Sequence, residues 1–150
     1  MHAKLINDAD ERSYALIFDT DDEVIAGLEA FAREHAISAS HFSAIGAFRR
    51  ATLGYFDWSR KDYERIEIDE QVEVLSLIGD IALKAAAPKV HAHVVLGKRD
   101  GSAHGGHLLQ AIVRPTLEVV LVDSPVHLCR VHDEQSGLAL IRLDRSKGAC

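Results

Sequence analysis

KVHAHVVLGKRDGSAHGGHLLQ, residues Lys89 to Gln110, carries four of the chain's nine histidines and four glycines. Val90, Ala92, Val94 and Leu96 alternate with His91 and His93, and successive side chains of a strand point to opposite faces. The stretch therefore reads as a strand with one apolar face and one face of imidazoles. Asp100-Gly101 is a two-residue hairpin signal, which folds the chain back and sets residues 105 to 110 alongside the first strand. Antiparallel pairing through a short turn is thus the unit from which the fold is built.

The same grammar runs outward in both directions. Apolar, β-rich runs occupy His41 to Ala47, Ala51 to Trp58, Tyr63 to Ile68, Val72 to Ile78, Val90 to Leu96, Leu108 to Val113, Leu117 to Val122, Val126 to Val131 and Leu138 to Leu143, with Tyr14 to Phe18 preceding them. Gly46, Gly54, Gly79, Gly101, Gly105-Gly106 and Gly137 punctuate them, and connections this short join antiparallel neighbours. Between the first run and the rest, Val24, Leu28, Phe31, Ala32 and His35 recur at helical spacing, predicting one amphipathic helix over residues 21 to 36. Thr20-x-x-Glu23 reads as its capping box, which accounts for the acidic cluster Asp19 to Glu23 without a metal. The expected class is α+β: a largely antiparallel sheet and one main helix, in a single domain over residues 1–150.

Charge and composition narrow the function. The chain has 17 Lys and Arg against 23 Asp and Glu, a net charge of −6, and its basic residues are dispersed. That balance disfavours a phosphate backbone as partner, because counterion release needs clustered cations. Two cysteines, Cys129 in an apolar pattern and Cys150 at the end, supply neither a disulfide framework nor a Cys-x-x-Cys knuckle. Cys129 reads as a small core residue. No signal-peptide core or membrane-length apolar run occurs, so the expected location is reducing and cytoplasmic, with no membrane partner. Dinucleotide, Walker, nucleophile-elbow and HExxH motifs are all absent.

His91 and His93 form a two-ligand unit for zinc or a similar metal, provided a third ligand reaches their face. A two-residue turn at Asp100-Gly101 would pair His107 with Val94 and point it to the wrong side. One extra residue reverses that parity, and a bulge at Gly105-Gly106 is the expected place for it. The candidate metal ligands are then His91, His93 and His107, leaving a tetrahedral ion one open position. The alternative is a polar crevice or subunit contact, hydrogen-bonded and metal-free. His104 is expected in a mobile loop. Glu118 and Glu73 are the candidate carboxylates that could orient an imidazole or act as a base.

SAIGA at 43 to 47, LGYFD at 53 to 57, VEVLSLIGD at 72 to 80, VHAHVVLGKRDGSAHGGHL at 90 to 108 and TLEVVLV at 116 to 122 together resemble the PPC family. This is the plant and prokaryote conserved domain, found alone in bacteria and archaea and joined to AT-hooks in plant nuclear proteins. The resemblance implies a PPC-like α+β domain that assembles as a homotrimer. It also implies that His91, His93 and His107 stand at histidine positions suited, in some bacterial members, to zinc. The R-G-R-P core of an AT-hook is absent.

Three functions are compatible with these readings: a trimeric zinc-binding protein with a regulatory or DNA-associated role, a small metal-dependent enzyme using the three histidines on an unknown small substrate, and a metal-independent DNA-binding regulator.

Overall fold

The computed structural model describes residues 1–8, 11–124, 127–143 and 150. Along the chain run β1 (His2–Asp8), β2 (Arg12–Phe18), α1 (Val24–Glu34), β3 (Ala39–Asp57), β4 (Asp62–Ile68), β5 (Val72–Lys84), β6 (Ala87–Gly97), β7 (Ala103–Asp123), β8 (Cys129–His132) and β9 (Ala139–Arg142). The strands lie in the order β1-β2-β7-β3-β5-β8-β9, with β4 on β3 and β6 on both β5 and β7. Because β6 bridges β5 and β7 while β7 also pairs β3, the strands β3, β5, β6 and β7 close into a ring. All pairings among the named strands are antiparallel except the short contact of β5 with β8.

Two expected strand pairs are single long strands. β3 passes through Gly46 and β7 through the cis Arg114–Pro115 peptide, and register shifts at Gly46/Phe48 and Phe48/Arg50 absorb the bends. Bulges let one strand turn a corner without ending, so punctuation that reads as a break is a change of direction. β1, which no apolar run announces, is held by pairing with β2. The expected start of β8 at Val126 lies outside the described residues.

The helix is shorter than its periodicity suggested and is capped differently. Glu23, in extended conformation, is the N-cap: its Oε2 accepts from Ala26 N at 2.6 Å and its Oε1 from Ala111 N at 3.2 Å. Thr20, expected to cap, instead donates its hydroxyl to the Pro115 carbonyl. One carboxylate thus neutralises an orphan helix amide and ties the helix to β7. At the other end Ile37 N donates to Ala32 O at 2.9 Å and Ala36 N to Arg33 O at 3.3 Å, a Schellman closure with Ala36 in the left-handed region at φ 54°. Val24, Leu28, Phe31 and Ala32 are buried against one face of the closed sheet, whose Leu16, Phe18, Phe48, Leu53, Leu77, Ile81, Val94, Leu96, Leu117 and Leu121 complete the core. The acidic cluster is spent on local pairs: Asp22 binds the N-terminal ammonium at 2.7 Å and Asp19 the His2 imidazole at 3.0 Å.

Cys129 is buried as expected, but it is not a free thiol. It is disulfide-bonded to Cys150, with the Cα atoms 5.4 Å apart. The Cys150 carbonyl accepts from Ala86 N at 3.0 Å, which fixes the chain end beside the strand partnering β8. The two cysteines stand 21 positions apart in the sequence, so only the folded chain brings them together. No described helix is long and apolar enough to cross a membrane.

Candidate metal centre

The site grows from the β6–β7 hairpin. Lys98 N donates to Ser102 O at 2.9 Å and Gly101 N to Lys98 O at 3.0 Å, with Gly101 at φ 82°. This is a three-residue connection, a tight turn followed by a left-handed glycine, and not the two-residue turn read from Asp100-Gly101. Asp100 stabilises it by accepting from both Ser102 N and Ser102 Oγ. The extra residue therefore sits in the turn, at Gly101. The ladder beyond runs without interruption through Leu96↔His104, Val95↔Gly105, Val94↔Gly106 and His93↔His107. The parity reversal is the one expected, but its location is not: no bulge occurs at Gly105-Gly106. His104 accordingly belongs to β7 and is exposed beside Leu96, outside the cluster and not in a loop.

His91, His93 and His107 meet on one face, each offering a ring nitrogen within 4.8 Å of the other two. Their ring centroids are 5.1 to 5.4 Å apart. Tyr63, from β4, stacks on His107 at 4.6 Å. His107 also lies opposite Gly54 of β3, so this imidazole is held from both sides of its strand.

Burial pushes the His107 imidazole from 6.5 down to about 4, and the neighbouring His91, His93, Arg130 and Lys89 act in the same direction. His93 is lowered as well, by burial and by His91. Both rings are thus neutral near pH 7, the form a metal requires. The Nδ1 of His107 is buried and has no hydrogen-bond partner. A polar crevice would satisfy such an atom; a metal-binding cluster supplies a reason to leave it free. The three imidazoles therefore fit a borderline ion such as zinc.

The carboxylate of the site is Asp80, which the sequence reading missed. His91 Nδ1 lies 3.5 Å from its Oδ2, while Arg130 donates to its Oδ1 at 2.5 Å. Burial disfavours the charged form of Asp80, but hydrogen bonds from His91 and Arg130 outweigh it and hold the carboxyl below its usual value. A carboxylate on one imidazole nitrogen fixes the tautomer and leaves the other nitrogen for a ligand role. The available signal was strand parity: Asp80 pairs directly with His91 across β5 and β6. Glu73 and Glu118, the expected candidates, lie elsewhere. Glu73 is exposed opposite Gly97, and Glu118 is exposed between Ile17 and Ile45.

Two cavities flank the histidines. One of about 420 Å³ is lined by His41, Ser43, Ile78, Asp80, His91 and His93. The other, about 260 Å³, opens toward Tyr63, Arg130, His91 and His107.

The model of the Plants and Prokaryotes Conserved domain matches residues 6–125. The chain belongs to this family. Among solved structures, a metal-containing protein of Archaeoglobus fulgidus is 37% identical to this PPC chain, with a TM-score of 0.82 over 94% of this chain and 96% of that one. A PPC protein of Pyrococcus horikoshii is 28% identical, TM-score 0.83, covering 97% of each chain. A Ralstonia eutropha protein with a provisional DNA-binding name is 30% identical, TM-score 0.82, over 87% of this PPC chain and 90% of that one. No functionally curated protein matches the chain.

Proposed function

We propose that this PPC protein is a trimeric metal-binding protein in which His91, His93 and His107 hold one zinc ion, with a regulatory or interaction role. The convergence of three imidazoles, each with a ring nitrogen within 4.8 Å of the others, carries the reading, and the buried, unpartnered Nδ1 of His107 supports it. The A. fulgidus relative, described as metal-containing, supports it. Metal analysis of the purified, zinc-supplied protein tests it: about one zinc per chain is expected, and none would leave a polar crevice.

The trimer rests on a second observation. Ile17, Ile45, Leu75, Ile78, Val95 and Val120 are exposed, and Ile78 and Val120 both pair with Ser43 while Ile78 also pairs with His93. An apolar sheet face of this extent marks an association surface. Ile45 is 61% exposed. Replacing Ile45 with Glu, opposite Glu118, is therefore expected to convert a trimer to monomers in sedimentation at micromolar concentration. A monomeric wild type, or a trimer untouched by this change, would remove the face from consideration.

DNA association through the domain itself is expected to be weak. The charge is −6, and several basic side chains are already paired, Arg12 with Asp123, Arg49 with Asp21, Lys98 with Glu70 and Arg130 with Asp80. Gel-shift titration with random duplex in about 150 mM salt should give no complex below micromolar protein; a tighter one would favour the metal-independent DNA-binding reading. The enzyme reading is favoured by the two cavities beside the histidines, which give a small molecule access to the site.

A further inference from the structure

The 260 Å³ cavity beside His91 and His107 is lined by Tyr63, Lys84, Lys89 and Arg130, with Val90 and Leu140 on its apolar side. We propose that it is an anion-binding subsite, taking the carboxylate or phosphate of a small molecule whose other end reaches the metal held by the histidines. This inference rests on the metal reading above and adds to it the class of ligand.

Three cations in one small cavity is unexpected in a chain of net charge −6. Arg130 is the decisive residue. Its side chain is only 8% exposed, with one terminal nitrogen donating to Asp80 and the other to the Ala139 carbonyl. Its Nε is buried without any acceptor. The two acceptors, Asp80 and the Ala139 carbonyl, hold the guanidinium in place, and its charge borders the cavity that Arg130 lines. Lys89 is partly neutralised by Glu29 at 3.0 Å, whereas Lys84 has no acidic partner among the described residues. Among the described residues three cations thus meet two carboxylates, and a divalent ion on the histidines would add two further charges. An oxyanion is the ligand that balances such a site.

The walls also limit its size. At about 260 Å³ the cavity falls just below the roughly 300–1,000 Å³ of ordinary ligand pockets, so it suits a molecule of few heavy atoms. Arg130 and the β9 residues belong to the C-terminal hairpin, outside residues 6–125 that match the family model. The disulfide from Cys129 to Cys150 anchors the strand that presents Arg130.

The test uses the full chain loaded with cobalt(II), whose visible spectrum reports a change in its ligands. Acetate and inorganic phosphate are titrated at constant ionic strength, with acetamide as the neutral control. One or both anions should shift the spectrum saturably while acetamide does not, and the responding anion identifies carboxylate or phosphate as the group preferred. Lys84→Met and Lys89→Met should each weaken that binding about 5-fold and the double variant more than 10-fold, without loss of cobalt. Lys98→Met, in the distant hairpin turn, should leave it unchanged. Arg130 is left intact because its removal would strand the Asp80 charge. Equal anion affinity in wild type and the double variant would show that the anion meets only the metal; the subsite would then be wrong and the metal centre would stand. A spectrum indifferent to both anions would likewise overturn the subsite. Failure to bind cobalt would sink both.

Discussion

If zinc sits on the three histidines, replacing His91, His93 or His107 with Ala is expected to lower its affinity by at least about 100-fold, beyond the roughly 10–100-fold that outer partners of a metal ligand contribute. Asp80→Asn, which keeps the shape but removes the charge beside His91, falls within that smaller range. His104→Ala changes nothing, since this residue stands beside Leu96 away from the cluster. Competition titration against a chromophoric chelator measures all five variants; equal affinity throughout would remove the histidines as ligands. The pH dependence has a definite sign. His107 titrates at about 4 in the fold against 6.5 ordinarily, and His93 is lowered too. Between those values the unfolded chain binds more protons than the folded one. The metal-free protein therefore has its full share of this stability above pH 6.5 and loses it as pH falls toward 4. Zinc occupancy should accordingly persist to somewhat below pH 6 before protons displace the ion. Melting temperature against pH, with and without zinc, separates the two effects: zinc raises it only where it is bound. A melting curve flat between pH 6.5 and 4 would show that these imidazoles are not shielded from water.

The second large effect belongs to the fold. Gly46→Ala is expected to destabilise the protein by about 3 kcal/mol or more, through overpacking and an unfavourable backbone. Gly46 adopts φ 151°, and a Cβ there would stand 2.4 Å from the Thr116 carbonyl oxygen and 2.8 Å from the Leu117 Cα. Both are backbone atoms, so no side chain can swing aside. At roughly 2–4 °C per kcal/mol for a chain of this size, the melting temperature should drop by about 6–12 °C. Gly101→Asn is the matched control. Gly101 also has positive φ, but nothing lies within 4 Å of its would-be Cβ, and asparagine tolerates the left-handed region. Thermal unfolding of the two variants side by side decides it; similar melting temperatures would mean that β3 and β7 can part at Gly46 without cost.

The SAIGA segment thereby acquires a physical reading. Its glycine is where two long strands approach too closely for any side chain, at a register shift that bends β3. A comparable constraint holds at Gly79, where a Cβ would lie 2.5 Å from the His91 carbonyl and from the Phe42 ring. Gly79 lets β6 approach β5, and so helps set the position of the first histidine.

Much of this was decided by the sequence alone, for reasons of period and turn chemistry. Alternation placed His91 and His93 on one face, helical spacing located α1, and the short glycine-marked connections required antiparallel neighbours. These are local rules, and they depend on residues only a few positions apart. What tertiary structure decided involves residues far apart in the chain. The parity of His107 turned on one added residue, and its place in the turn and not in the strand was decided by the folded hairpin, since both placements satisfy the same local pattern. Thr20 lost the capping role because the Pro115 carbonyl, 95 positions away, took its hydroxyl and left Glu23 to bond both the helix and β7. Asp80 became the partner of His91 through strand pairing, and Arg130 reached Asp80 from a hairpin 50 residues on. Cys129 met Cys150 only because β8 and the chain end come together beside β5. Charge and hydrogen-bond partners of this kind are chosen by proximity in the folded state, which a one-dimensional pattern does not encode.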